Sequence, residues 1–598
     1  QLDGFSTTAA ILTESGPTTG AANDRLDADS LGSTQFLLVN LAKPTETVGV
    51  DVTCKSCGKV GTPPGTEPDQ LRLVPQLPLR SHTQYAMFWI RGVKGLNDTK
   101  LANTGSAWAL MRLSTPLVVN GVSQVPAVDV LTASLIEPLR LQYQPLLQMM
   151  DAKGIAREDV MLAWTFTTQT TTEPLAALRN KPQEWNLPTA TVGTLAAVDY
   201  SLLNTASIFT GQDWVSQIRW IKEGQFTSGL ALAPGFEVDP TTGQSLPTDA
   251  AFSDATLTTP KQETIYFLLS VPKSPKFSDG RIPVIIFQHG LLRSRRDMAL
   301  IANTINAAGY AALAIDAPFH GNRTYCRADS ECAQGTTCSA DHRCPGGYAN
   351  LDQTGNPALS GNGFVSATNP FATRDHFRQQ VIDLAQLIRS LQDTTAGIGA
   401  VDVDDPNTTG VIEHLEVANP LPRYIGQSLG GIIGTLATAA IPEITSSTLN
   451  VPGADPVGIT LTSPAFSSNK QQLDTYLAGR GIATNSQAYD QFMDTARWIL
   501  DPADPQNFGR HLIAEPLKDV RTNQPGPAKH VFVSWIFGDQ VVPNPTTQLL
   551  LRSIDTGNLS SYFSQKQYQG GDHSFLLNIQ NAISAKTAQN DAVNWVKP

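Results

Sequence analysis

The spacing of apolar positions changes character near residue 264. Before it, short runs rich in aromatic and β-branched residues recur between Pro, Gly, Asn and Thr: 35–41, 83–93 and 160–169. This pattern predicts strands. One stretch, 131–154, repeats its apolar residues every three to four positions and predicts a helix. Strands spaced by turn signals predict a β-rich sandwich domain over residues 1–180. Residues 181–263, richer in Thr, Pro and Asp, read as a small β unit or a connecting region.

From 264 onward the two periods alternate. Residues 264–271, 282–290, 310–316, 423–427, 457–465, 530–538 and 562–568 read as strands, several of them almost continuously apolar. Helical periods occupy 294–309, 374–391 and 430–440. Such alternation predicts a mostly parallel sheet flanked by helices, with right-handed crossovers, over 264–598. Two stretches interrupt it: a cysteine-rich insertion, 317–370, and a lid-like insertion, 466–528.

A chain of 598 residues with 41% hydrophobic and 16% charged residues is long enough for two or three cored domains. The net charge of −11 and the lack of a dense basic run argue against nucleic acid as a partner. No apolar run reaches the roughly 20 residues that span a bilayer, so no transmembrane segment is expected. The sequence starts at Gln1, with neither Met nor an apolar leader, which reads as a removed leader or a cut chain. Four of the six cysteines are evenly spaced, Cys326, Cys332, Cys338 and Cys344, in a polar Gly/Asp-rich segment. Cys54 and Cys57 form the other group, readable as a short-loop disulfide or a free thiol pair. An even count in such a setting predicts disulfides formed outside the cytosol, so a secreted or cell-surface protein. Zinc is the rival for the four, but their spacing is not the paired C-x2-C arrangement of zinc sites. Among the three pairings open to them, Cys326–Cys338 with Cys332–Cys344 is the expectation.

One constellation carries chemistry. Gly426-Gln427-Ser428-Leu429-Gly430 follows a short apolar strand and precedes a small-residue helix, the context of a nucleophile elbow. The N–H of Leu429 and that of Leu291, in His289-Gly290-Leu291, are placed to hold a developing oxyanion. Asp539 ends a later strand, where a carboxylate can orient an imidazole, and His573 lies in the loop Gly570-Gly-Asp572-His573. With nine histidines in the chain, this one is the expected general base. Asp572 is the competing orienter, but adjacent side chains in a turn usually point apart. His289, Gly290, His320 and Gln427 are candidate pocket residues. For His320 a local role in holding its loop is favoured. Arg293, Arg295 and Arg296 could draw an anionic substrate, with a solvated helix start preferred. Phe492, Met493 and Trp498 would line a cleft or pack a helix.

The order Ser428, Asp539, His573 resembles that of α/β-hydrolases of the lipase/esterase type. Together with Asp501-Pro-Ala-Asp-Pro505, Asn369-Pro-Phe-Ala-Thr-Arg374-Asp375 and the weaker N-terminal match at Asp3-Gly-Phe-Ser and Leu77-Pro-Leu-Arg-Ser-His-Thr-Gln-Tyr85, the chain is similar to large secreted bacterial lipases with an Ig-like N-terminal region. Those proteins usually carry His where Gln427 stands. The resemblance implies an α/β-hydrolase fold, an Ig-like N-terminal domain and serine hydrolysis of a carboxylic ester, with no metal and no organic cofactor. An apolar acyl chain is the expected substrate feature, and a lipid or polymer surface a partner it allows. The rival readings are a surface or matrix binding protein on an inactive hydrolase scaffold, and an amide or peptide hydrolase using the same triad.

Overall fold

The computed structural model describes residues 2–14, 25–58, 68–101, 110–111, 113–238, 245–252, 260–275, 281–339, 342–352, 355–366, 369–403, 414–415 and 422–596. The chain divides into two units. One comprises residues 171–484 and 499–598, the other 2–170 and 485–498.

The larger unit is built on a nine-stranded sheet. Its strands in chain order are β1 (Thr191–Ala197), β2 (Ile218–Leu230), β3 (Lys261–Pro272), β4 (Val284–Gln288), β5 (Ala311–Ile315), β6 (Arg423–Gln427), β7 (Ser446–Asn450), β8 (His530–Ile536) and β9 (Phe563–Tyr568). In space the order is β1-β2-β3-β5-β4-β6-β7-β8-β9. The first three pairings are antiparallel and the other five parallel. From β2 onward this is the strand order of the α/β-hydrolase fold, with β1 added at the edge. Every residue of β4 to β7 is buried, as parallel strands covered on both faces require. The helix Leu429–Ala440, which follows β6, is buried along its whole length. Its small residues permit this: a Cβ on Gly434 would lie 2.4 Å from the Tyr424 ring.

Two expectations need correction here. Residues 181–263 are not as a whole a separate β unit or connector: β1, β2 and the start of β3 belong to the main sheet, while Leu232–Val238 and Ser245–Phe252 pair as a two-stranded sheet of their own. Polar residues on the long β2 and β3 hide their membership, because they bond inward to charged partners. Residues 457–465 are no strand: Pro456–Thr462 is a helix that opens on a proline. The strand at this place is β7, whose Ser-Ser-Thr-Leu-Asn sequence has only one apolar residue, yet all five are buried.

In the smaller unit, a three-stranded antiparallel sheet (Ile11–Glu14, Gln70–Pro75, Val50–Lys55) and a four-stranded one (Val160–Thr167, Gln84–Ile90, Phe36–Asn40, Thr47–Val48) share a core. Val50, Leu71 and Leu73 from the first meet Phe36, Leu38, Tyr85 and Met87 from the second. The predicted helix spans Val130–Ala152. Part of the expected lid belongs to this unit as well. In the segment 485–498, Asp494 pairs with Arg72 at 2.6 Å and Asp490 with Lys55 at 3.1 Å. The Trp498 indole donates to Gly4 O at 2.9 Å. Met493 is buried, so Met493 and Trp498 serve packing. An amphipathic helix reads the same in sequence whichever core receives it.

A buried ion network holds the head of the large sheet. Arg323 reaches Asp383 at 2.8 Å and Glu263 at 2.6 Å, and Asp383 also accepts from Ser228 at 2.7 Å. Burial pushes the Asp383 carboxyl up against the pull of Arg323. Removing one member of such a set leaves the others uncompensated, at a cost of about 3–5 kcal/mol. Arg323→Met is therefore expected to lower the unfolding free energy of the larger unit, read from urea denaturation, by that amount. A change under about 1 kcal/mol, the range of surface pairs, would show that the network does not hold this sheet.

Candidate active site

Three strand ends build the site, and the turn after β6 is the first. Ser428 has φ 58° and ψ −117°, an unfavourable conformation for a residue with a Cβ. Its neighbours explain how the turn survives. A Cβ on Gly426 would lie 2.1 Å from Gly430 O, and one on Gly430 would lie 2.1 Å from Gln288 O. Only hydrogen fits at either position. The Ser428 N–H donates to Asn450 O at 2.9 Å, and the Tyr424 hydroxyl donates to Gly430 O at 2.6 Å. The turn is thus pinned from β7 and from within β6.

The second and third ends bring the acid and the imidazole. Asp539 follows β8 and its side chain is 1% exposed. Its Oδ1 accepts the N–H groups of Val541 at 2.8 Å and Val542 at 3.0 Å. His573 follows β9. Its Nδ1 lies 2.9 and 2.8 Å from the two Asp539 carboxylate oxygens, and its Nε2 lies 2.7 Å from Ser428 Oγ. An unbroken chain carboxylate–imidazole–hydroxyl results. Asp572 stands outside it. Its oxygens accept from Ser574 N at 2.9 Å, Ser574 Oγ at 2.7 Å and Asn578 Nδ2 at 3.0 Å, which makes it a cap for its own loop.

The loop after β4 lies against this chain. A Cβ on Gly290 would be 3.2 Å from Ser428 Cβ. Leu429 opens its helix, so its N–H has no carbonyl one turn back. Neither that N–H nor the one of Leu291 has an acceptor among the described residues. His289 and His320 lie behind the loop, both fully buried, and neither faces an open pocket. His289 donates from Nδ1 to Gly290 O at 2.8 Å and accepts the Ala317 N–H at Nε2, 3.1 Å. Burial lowers its pKa to about 4, so it is neutral, as that pair of bonds requires. His320 holds Pro318 O at 2.8 Å. Arg295 is no solvated residue either. It is buried and paired with Asp316 and Glu223, while Arg293 pairs with Asp297 at 2.7 Å.

Gln427 has a role that its place in the motif did not reveal. Its Nε2 donates to the main-chain O of His573 at 2.9 Å, so the residue before the serine grips the backbone of the imidazole. The contact joins positions 146 residues apart, and nothing in the local sequence marks it. The cysteine-rich insertion also reaches the loop after β4. Ser360 Oγ donates to Arg293 O at 2.8 Å, and Gly361, with φ +80°, packs on Leu292 and His320. Cys326 pairs with Cys338 and Cys332 with Cys344, and Cys54 pairs with Cys57.

No protein-family model matches the chain, and no curated protein does. Among solved structures, an acetyl xylan esterase from Paenibacillus sp. R4 superposes over 69% of this chain and 90% of its own, with 15% identity and TM-score 0.36. The acetyl xylan esterase 1 of Thermoanaerobacterium sp. JW/SL YS485 covers 71% and 99%, with 15% identity and TM-score 0.32. The acylaminoacyl peptidase of Pyrococcus horikoshii covers 65% and 42%, with 10% identity and TM-score 0.31. These likenesses are distant, and the fold rests on the strand order described above.

If Gln427 fixes the imidazole, Gln427→Met, which keeps length and removes the donor, is expected to slow reaction of Ser428 with a fluorophosphonate by up to about 10²-fold. The melting temperature should stay near that of the parent. Unchanged labelling would remove Gln427 from any positioning role.

Proposed function

We propose that the protein is a serine hydrolase acting on carboxylic esters, with Ser428 as nucleophile, His573 as general base and acid, and Asp539 as the orienting carboxylate. The observation that carries this reading is the hydrogen-bonded chain from Asp539 through His573 to Ser428 Oγ, beside two N–H groups without acceptors. His573 takes the serine proton as Oγ attacks the ester carbonyl. The N–H groups of Leu291 and Leu429 hold the oxyanion. His573 then protonates the leaving alcohol, and water cleaves the acyl-enzyme by the same route. Asp539, held by two backbone N–H groups, keeps Nδ1 protonated so that Nε2 faces the serine. These steps call on no metal ion.

The full set belongs to the larger unit, so the β-rich unit, which the resemblance reads as Ig-like, contributes docking or stability rather than a reacting group. Three disulfides support an extracytoplasmic setting. The ester reading is favoured over peptide hydrolysis by the resemblance of the sequence to lipases and esterases. A panel of p-nitrophenyl esters of rising chain length, run beside an aminoacyl anilide, separates the two.

Ser428→Ala should abolish ester hydrolysis and fluorophosphonate labelling while leaving circular dichroism unchanged; persistent labelling would discard Ser428. Asp539→Asn is expected to lower turnover on the order of 10⁴-fold, because the imidazole can then take the wrong tautomer. Asp572→Asn should cost far less. The opposite ranking would require the triad to be redrawn with the acid beside its own histidine.

A further inference from the structure

A cavity of about 280 Å³ lies in the larger unit at the edge of the sheet away from Ser428. Ser428 follows the C-terminal end of β6. The cavity is instead lined by Ile441 and Glu443, which precede β7, and by the last turns of the helix Pro370–Gln392. Three arginines line it, Arg179, Arg389 and Arg521, with the carboxylates of Glu443 and Asp393. Nothing in the proposed hydrolysis uses them.

The arginines are not equally engaged. Arg179 turns its Nε and Nη2 edge onto both oxygens of Glu443. Arg521 reaches Gln183 Oε1 at 3.2 Å and Asp519 at 3.4 Å, and its side chain is 44% exposed. Arg389 differs from both. All three of its hydrogen bonds leave Nη1, to Pro182 O at 3.0 Å, Leu187 O at 3.5 Å and Gln386 Oε1 at 2.7 Å. These acceptors are neutral. Its Nε–Nη2 edge, the pair of N–H groups that grips a carboxylate or phosphate side-on, meets no acceptor among the described residues. Asp393 does not supply one, because its oxygens are taken by Thr189 Oγ1 and the N–H groups of Thr395 and Ala396.

Behind the Ile441–Glu443 wall, the Lys529 ammonium donates to the carbonyls of Ile441 at 3.1 Å, Pro442 at 3.0 Å and Ile444 at 2.7 Å, with no carboxylate among its partners. Burial lowers the Lys529 pKa to about 7, so it adds no fixed charge: the three arginines face the three carboxylates of Glu443, Asp393 and Asp519, and Arg521 also lies 3.8 Å from Glu443. Burial alone lowers the pKa of Arg389, since no anion beside it offsets the lost hydration. A guanidinium fixed by one nitrogen and left free along its gripping edge, in a walled space where it has no carboxylate partner of its own, is preorganised for a ligand.

We propose that this cavity binds a small oxyanion, a carboxylate or a phosphate, gripped side-on by Arg389 and flanked by Arg521. The apolar wall of Ile388 and Ile441 has room for a short organic body attached to that group. The site is separate from Ser428 and does not depend on the hydrolase reading.

The test is calorimetric titration of the full chain with inorganic phosphate, acetate, butyrate and succinate in turn, in a buffer free of other oxyanions. Saturable one-to-one binding of at least one is expected, and which of the four binds identifies the oxyanion. Arg389→Lys keeps the charge and loses the two-pronged edge. It and Arg521→Gln should each weaken binding by about tenfold or more, 1.4 kcal/mol per decade. Ser428→Ala should bind as the parent does, which excludes capture at the serine. If Arg389→Lys does not fold, Arg521→Gln decides alone, because its side chain is half-exposed and replaceable. Absence of saturable binding for all four anions, or equal affinity in both arginine variants and the parent, overturns the proposal.

Discussion

The larger unit depends on one close approach of backbone to backbone. Gly430, in the first turn of the helix after β6, sits where a single added carbon would strike Gln288 O on the neighbouring strand, and Gly426 sits where it would strike Gly430 O. The same contact forces Ser428 to a positive φ. That strain is tolerable because the surrounding strands fix it from several sides: β7 accepts the Ser428 N–H, and Tyr424 fixes the carbonyl of Gly430. A serine placed in this way stands clear of its own helix with the first N–H of that helix at its side. The remaining groups need only be delivered by the ends of β4, β8 and β9.

What could be read from the sequence follows from this. The elbow was legible because steric exclusion leaves a mark, glycine at fixed offsets. His573 and Asp539 were legible because each ends an apolar run in a loop with few competing groups. β7 was not legible. Its serines, threonine and asparagine look like a turn, and the partners of the last two lie on distant chain: Thr448 donates to Ala592 O at 2.9 Å and Asn450 to Ser534 Oγ at 2.8 Å. The Pro456–Thr462 helix failed for the converse reason, since a short alternation of apolar and small polar residues suits either period. Gln427 and Arg295 failed because their partners lie far along the chain or on strands whose place in the sheet was unknown.

Polar groups inside this unit therefore act as specificity elements more than as a source of net stability. A buried arginine with two carboxylates gains little over an apolar cluster of the same size, but it tolerates only one relative placement of β2, β3 and the helix Pro370–Gln392. Arg323 with Asp383, Glu263 and Ser228 meets that condition.

The segment 485–498 has a consequence of another kind. The smaller unit takes its first 169 residues from one stretch of chain and its last 14 from another, some 300 residues downstream. During synthesis the β-rich unit emerges first, yet Arg72, Lys55 and Gly4 O meet their partners only once Trp498 has been made. Until then its surface is incomplete and its charges are unanswered. The two units are threaded together covalently, so neither is an independent module that gene fusion or deletion could exchange whole, and their order along the chain is not the order in which each becomes finished.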